Sequence, residues 1–339
     1  MNSDEIKNLR TMMGTNPSSG MERKDEIFFG SEGIKVKMLD WPTDPYRAIF
    51  DGVTATWGNS DNWEGKYERV SDKGALTTLL AVLNRKTLAE ILESPKFTFA
   101  IEGASRAAFD QYARHRIGVG INSIGTRDND WMDASLRIPN EVAMDEDQLK
   151  AHTKAFKAAK DAYETTVRGC HESWQSARFI LPMGTIHRWV MSANYLALQN
   201  MAFQRLKFCE QFDTVAVMWH IRNEVSKEYP LLAAFMRPGC DWSKSCQYHQ
   251  QYGLSELFGC LFTGCGRHPV AGGEKYAEFN RACSTSTEIA HDTGLQIPGK
   301  DDWENVVVMA VKSDKHLGLA HMSVSDIKEC MRLVGGSFK

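Results

Sequence analysis

Between Lys96 and Arg116 the spacing of apolar residues changes, and the change fixes a piece of architecture. "KFTFAIEG" alternates Phe97, Phe99 and Ile101 with more polar neighbours, the period of a half-buried strand. Gly103 is expected to end it. "ASRAAFDQYARHR" then takes up helical spacing, and Gln111 and Arg114, three apart, share a helix face. That face runs into "RHRIGVGINSIGTR", where Arg114, His115, Arg116 and Arg127 surround glycines and small residues. Any fold for this chain has to place a strand, a helix and a loop of bare backbone and positive charge in immediate succession.

The flanking sequence supplies more of both element types. "IKVKMLDW" alternates as a strand, and "DPYRAIFDGVTATW" reads as a helix with Asp44 as N-cap and Pro45 at the first helical position. "ALTTLLAVLNRKTLAEILES" is helical by its leucine spacing. "EDQLKAHTKAFKAAKDAYETTVRGCHESWQSARFI" is a long charged helix or helix pair stopped by Pro182, and the charges from Asp145 to Lys160 form its solvated face. "TIHRWVMSAN" reads as a strand, "YLALQNMAFQRLKF" as a helix, and "FDTVAVMWHIRNEVSKEY" as another helix closed by Pro230. Tryptophans and methionines at helical spacing are assigned to the core. From about Met236 Cys, Gly, His and aromatic residues crowd together, the expected start of an extension.

The arginine-rich loop admits two readings. In one, Gly118 and Gly120 cap and turn the helix and the arginines are merely solvated. In the other, guanidinium forks and exposed backbone N–H groups hold an anion such as a nucleotide phosphate or a cofactor pyrophosphate. A dinucleotide fingerprint is excluded, because the glycine spacing is wrong and the run follows a helix. The net charge of −3 supplies no overall basic field for nucleic acid, so an anion must be met locally. No apolar run reaches membrane-span length. The polar N-terminus lacks the apolar stretch of a secretory signal, and with eight cysteines this suggests thiols in a reducing cytoplasm.

The same residues resemble the flavin-dependent thymidylate synthases. Arg114-His115-Arg116 stands intact, an Ile121-Asn122 pair follows, and the third arginine, Arg127, arrives one residue late, as a single insertion in the glycine run would produce. Upstream, Gln111 stands three residues before the first motif arginine. Downstream, Arg178 precedes Leu-Pro, and Asn200 is followed five residues later by Arg205. The resemblance spans roughly Ile34 to Pro230.

It implies an α+β fold with an antiparallel sheet flanked by helices, assembled as a homotetramer. It implies methylation of C5 of dUMP to dTMP, with methylenetetrahydrofolate as carbon donor and FAD as the hydride carrier that NADPH regenerates. Arg114, His115, Arg116, Asn122, Asn194 and Asn200 would contact FAD. Gln111, Arg114, Ser123, Gly125, Thr126, Arg127 and Arg178 would hold the nucleotide, with Arg127 and Arg178 supplied to one site by different subunits. Arg205 would lie against the uracil and support N3 ionisation as the catalytic residue. The bland alternative for Arg205 is a surface arginine that snorkels to water.

The pattern also departs from the family. Gly125 and Thr126 stand where the family has serine and glycine, with Thr126 or Ser123 as the replacement hydroxyl. Leu196 replaces an arginine, Cys209 a histidine, and Gln175 stands where a glutamate can occur. These changes keep alternatives open: C5 hydroxymethylation, dCMP as substrate, or a nucleotide- or flavin-binding homologue without turnover. The chain is expected to divide into an N-terminal arm (1–33), the catalytic domain (34–235) and the extension (236–339). In the extension, Cys240, Cys246, His249, Cys260, Cys265 and His268 are read first as buried thiols with packing histidines, and second as a structural zinc site. No metal is assigned to the catalytic site.

Overall fold

A computed structural model describes residues 27–29, 32–57, 70–127, 129–143, 145–169, 174–206, 210–239 and 303–334. Its elements are β1 (Ile27–Phe29), β2 (Lys35–Asp40), α1 (Pro45–Trp57), α2 (Asp72–Leu83), β3 (Lys96–Ser105), α3 (Arg106–Tyr112), β4 (Val119–Ser123) and β5 (Leu136–Ile138). There follow α4 (Asn140–Ala143), α5 (Glu146–Gly169), α6 (Trp174–Ala177), β6 (Ile186–Asn194), α7 (Tyr195–Arg205), α8 (Phe212–Glu228), α9 (Pro230–Ala234), α10 (Trp303–Ser313) and α11 (Val324–Leu333).

The centre is a four-stranded antiparallel sheet in the order β2-β3-β6-β4. The alternation seen in the sequence decides which face is buried. Phe97, Phe99 and Ile101 of β3 pair with Ala193, Met191 and Trp189 of β6, and all six side chains are buried on one face. Thr98 and Ser192 lie on the other face and hydrogen-bond across the strands at 3.1 Å. Against the buried face runs α8, buried from Asp213 to Met218, as expected of a helix apolar on most sides. The sheet is thus antiparallel and flanked by helices, as expected. A separate parallel pair, β1 with β5, was not foreseen, because its strands lie over a hundred residues apart in the chain.

Several element boundaries differ from the sequence reading. Gly103 does not end β3. It sits at φ +87° in a bulge, and the strand continues to Ser105. A Cβ there would come within 2.2 Å of the Gly33 carbonyl oxygen, so neither the conformation nor the space admits another residue. Gly103→Ala is expected to lower unfolding free energy by at least about 2 kcal/mol, read from the midpoint of urea denaturation. An unchanged midpoint would show that the bulge relaxes at no cost.

The leucine-rich segment is two elements. α2 stops at Leu83, Arg85 takes φ 54°, and Lys86 N–H and Arg85 N–H bond the carbonyls of Ala81 and Val82. This is a Schellman stop made without glycine, so no residue type announced it. A short 3-10 turn, Ala89–Glu93, follows. α3 ends at Tyr112, so Arg114 lies in the turn beyond the helix, and it does not share a helix face with Gln111. The glycine-rich run is also more ordered than a loop: Val119–Ser123 is the edge strand β4, paired with β6. Gly118 at φ +71° makes the junction, its carbonyl accepting from Asn194 N–H at 2.9 Å. Pro230 both follows α8 and starts α9 at its first helical position.

Asp44 and Pro45 open α1 as read from the sequence, with Asp44 Oδ1 accepting from Arg47 N–H at 2.9 Å. α10 and α11 join the main core through Val307, Val311, Ile327 and Met331. The link after α10 is pinned by Asp314, whose carboxylate accepts from Tyr46 OH and from the N–H groups of Leu231, His316 and Leu317. Burial raises the Asp314 pKa, an effect these hydrogen bonds oppose.

Candidate functional site

Two clusters meet at α3. The first is built around Arg205, the last residue of α7. Its Nε donates to His115 Nε2 at 3.1 Å, its Nη2 to the Gln111 carbonyl oxygen at 3.1 Å, and its Nη1 to Glu210 Oε2 at 2.8 Å. The Arg205 side chain is only 12% exposed, so it does not snorkel into water. Arg205 therefore contacts the His115 side chain and the Gln111 backbone, both about ninety residues away in the chain. Burial first, and the neighbouring guanidinium second, hold the His115 pKa down to about 4. The ring is then neutral at pH 7. Since Nε2 accepts from Arg205, the proton sits on Nδ1, leaving that N–H as a donor.

Arg114 and Arg116 are exposed in the turn after α3, as is Asn122 on β4 and Asn200 on α7. Asn194 is buried and serves the backbone, its Oδ1 capping α7 by accepting from Ala197 N–H at 2.8 Å. Leu196 is half-buried against the core. The exposed guanidinium groups of Arg114 and Arg116, on either side of His115, are of a type that suits a phosphate-bearing cofactor, so these residues fit the anionic part of a flavin nucleotide.

The second cluster is a cleft of about 350 Å³ whose polar lining includes Arg106, Asp110, Thr126, Arg178 and His187. It exists because α3 is held at its first turn. Ser105 Oγ caps the helix through Ala108 N–H, Ser105 N–H is fixed by buried Asp213, and Arg106 N–H and Ala107 N–H bond the carbonyls of Thr185 and Met183. Arg106 Nε then pairs with Asp110 at 3.1 Å one helical turn on. Trp131, also in the lining, is fixed by its backbone N–H donating to Tyr163 OH at 3.0 Å, and its ring stacks on His187 at 5.5 Å. Burial, followed by the charges of Arg106 and Arg188, holds His187 down to about 4. His187 Nε2, Trp131 Nε1 and Thr185 Oγ1 are all buried without a hydrogen-bond partner among the described residues, and all three residues line this cleft. Buried polar atoms of this kind are costly unless something satisfies them.

Of the residues proposed for the nucleotide, Thr126 and Arg178 line the cleft together within one chain. Arg127, next to Thr126, is exposed; Ser123 is exposed at the end of β4; Gly125 is half-buried and its carbonyl accepts from Asn129 Nδ2. Of the two candidate hydroxyls, Thr126 is the one in the cleft. Sequence reasoning missed Arg106, His187 and Glu210. The four-residue spacing of Arg106 and Asp110 on one helix, and the position of His187 on the inward register of β6, were signals for the first two. Cys209 and the six Cys and His residues of the extension lie outside the described residues.

This combination of a mixed antiparallel fold with an arginine held by a motif histidine defines a class. A profile of the thymidylate synthase complementing proteins matches residues 38–231, and the chain belongs to that family. It is 29% identical over 224 residues to the flavin-dependent thymidylate synthase of Thermococcus onnurineus, covering 63% of this chain and 85% of that one. It is 30% identical over 221 residues to the Thermococcus kodakarensis flavin-dependent thymidylate synthase, covering 62% and 84%. Among solved structures, a UMP/dUMP methylase, PolB from Streptomyces cacaoi bound with 5-Br dUMP, superimposes with a TM-score of 0.50 at 16% identity. The match covers 59% of this chain and 92% of that one, a likeness of fold. Among the described residues no helix is long and apolar enough to cross a membrane.

Proposed function

We propose that this protein methylates C5 of dUMP to give dTMP, with methylenetetrahydrofolate as carbon donor and FAD, reduced by NADPH, as cofactor. The observation that carries this reading is the contact of Arg205 with the His115 side chain and the Gln111 backbone carbonyl, which brings three family positions into one cluster. C5 of uracil is a weak nucleophile, and charge drawn onto N3 and the ring oxygens activates it. A guanidinium fixed in a partly dehydrated site stabilises that charge without giving up a proton. Thr126 and Arg178, with Arg106 beside them, suit the substrate phosphate, and Ser123, Gly125 and Arg127 extend the same loop. Gln111 and Arg114 complete the nucleotide side. Arg114, His115 and Arg116 hold the flavin pyrophosphate, Asn122 and Asn200 add exposed amides, and Asn194 acts by setting the start of α7. The flavin, when bound, supplies the reducing equivalents.

Residues 34–235 form the catalytic unit in this reading, 1–33 an arm and 236–339 an extension, in a cytoplasmic enzyme. We assign a homotetramer. Ile117 beside the motif arginines and Phe179 at the cleft rim are each 86% exposed, and Ile180 and Met183 extend the second patch, which suits a self-association surface. The test is spectroscopic. The purified protein is expected to show visible flavin absorbance and to oxidise NADPH in a dUMP-dependent manner, with a light-scattering mass of four chains. A colourless active monomer would overturn the reading.

A further inference from the structure

We propose that Glu210 is a positioning residue for Arg205: its carboxylate fixes the guanidinium plane that the pyrimidine ring meets. The inference rests on the reading of Arg205 given above. The guanidinium is held at all three nitrogens, by His115, by Gln111 and by Glu210, and only Glu210 brings a charge. At 2.8 Å this hydrogen bond has both partners charged, and it is shorter than the two to neutral acceptors at 3.1 Å. Both partners are largely shielded, at 12% and 21% exposure, so the pair escapes much of the screening that makes surface ion pairs weak.

Glu210 is anchored on its C-terminal side. It stands immediately before Gln211, the N-cap position of the buried helix α8. The Gln211 side chain donates to Asp213 Oδ1 at 2.7 Å, and Asp213 in turn holds the Ser105 N–H at the start of α3. The carboxylate is thus tied to the same frame that carries Gln111 and His115. An arginine side chain at a helix end has several rotamers open to it, and two neutral acceptors are weak restraints on them. Removing the charged third acceptor releases the fork at Nη1. Since a misplacement of about 1 Å can cost about a hundredfold in rate, orientation of this group is worth a measurable part of turnover.

The experiment uses the full-length, flavin-loaded protein with dUMP, methylenetetrahydrofolate and NADPH, and compares Glu210→Ala, Glu210→Gln, Arg205→Ala and the double variant Arg205→Ala/Glu210→Ala. Glu210→Ala is expected to lower kcat by about tenfold or more. Its flavin reduction and calorimetric dUMP affinity should stay near wild type, with a modest fall in melting temperature from the loss of a partly shielded ion pair. Glu210→Gln keeps an acceptor oxygen in place but loses the charge, and should recover part of the loss. The double variant should be no slower than Arg205→Ala, because Glu210 acts only through that arginine. The proposal is overturned if Glu210→Ala turns over at the wild-type rate, or if flavin reduction falls in step with methyl transfer. It is equally overturned if Gln is no better than Ala. Wild-type turnover in Arg205→Ala would instead overturn the catalytic role of Arg205 itself.

Discussion

Arg205→Ala is expected to slow methyl transfer to dUMP by about two to three orders of magnitude, the usual cost of losing one preorganised contact to developing charge. Flavin reduction by NADPH is a separate half-reaction and should survive far better. The expectation follows from where the side chain is. It is not a solvated surface arginine, since it spans His115, the Gln111 carbonyl and Glu210 in a mostly dehydrated setting. Arg205→Lys should not rescue. An ammonium radiates its donors from one atom, whereas the three acceptors here are met by three separate nitrogens of a planar fork. Circular dichroism would confirm that both variants fold. Methyl transfer close to wild type in either variant would remove Arg205 from the chemistry.

Arg178→Ala is expected to raise the KM for dUMP by about 10- to 100-fold while kcat changes less, because the lost contact holds substrate and transition state alike. Arg178 lines the cleft with Thr126 and Arg106 and carries a charge suited to a phosphate oxygen. The informative control is deoxyuridine, which lacks the phosphate. Its weak binding should be indifferent to the substitution. An unchanged KM for dUMP, or an equal loss with deoxyuridine, would place the phosphate elsewhere.

Much of this arrangement was legible because period and capping are local. Phe97, Phe99 and Ile101 announced the face of β3 that meets the core, and Asp44 with Pro45 announced the start of α1. What the sequence hid was set by distant partners. Gly103 looked like a stop, but the Gly33 carbonyl across the sheet makes it a bulge within a longer strand. Arg85 gave no sign of ending α2, because a left-handed residue other than glycine has no composition signal. The edge strand β4 was masked by Gly120 within it and Gly118 before it, which read as loop until β6 is placed beside them. At the site, Gln111, His115 and Arg205 were identified through resemblance to a family, while the contact of Arg205 with the other two is a fact of folding. Glu210 carried no motif, and its contact with the guanidinium appears only in the folded chain.

Every role assigned above depends on the conversion of dUMP, and mass analysis of the nucleotide reads that conversion without an intermediary. Flavin-loaded protein is incubated with NADPH, methylenetetrahydrofolate and dUMP, with dCMP in a parallel reaction. The expected result is that dUMP gains the mass of one CH2 group and co-elutes with dTMP, while dCMP is returned unchanged. A dUMP recovered unaltered while NADPH is consumed, or one carrying a hydroxymethyl group, would contradict it.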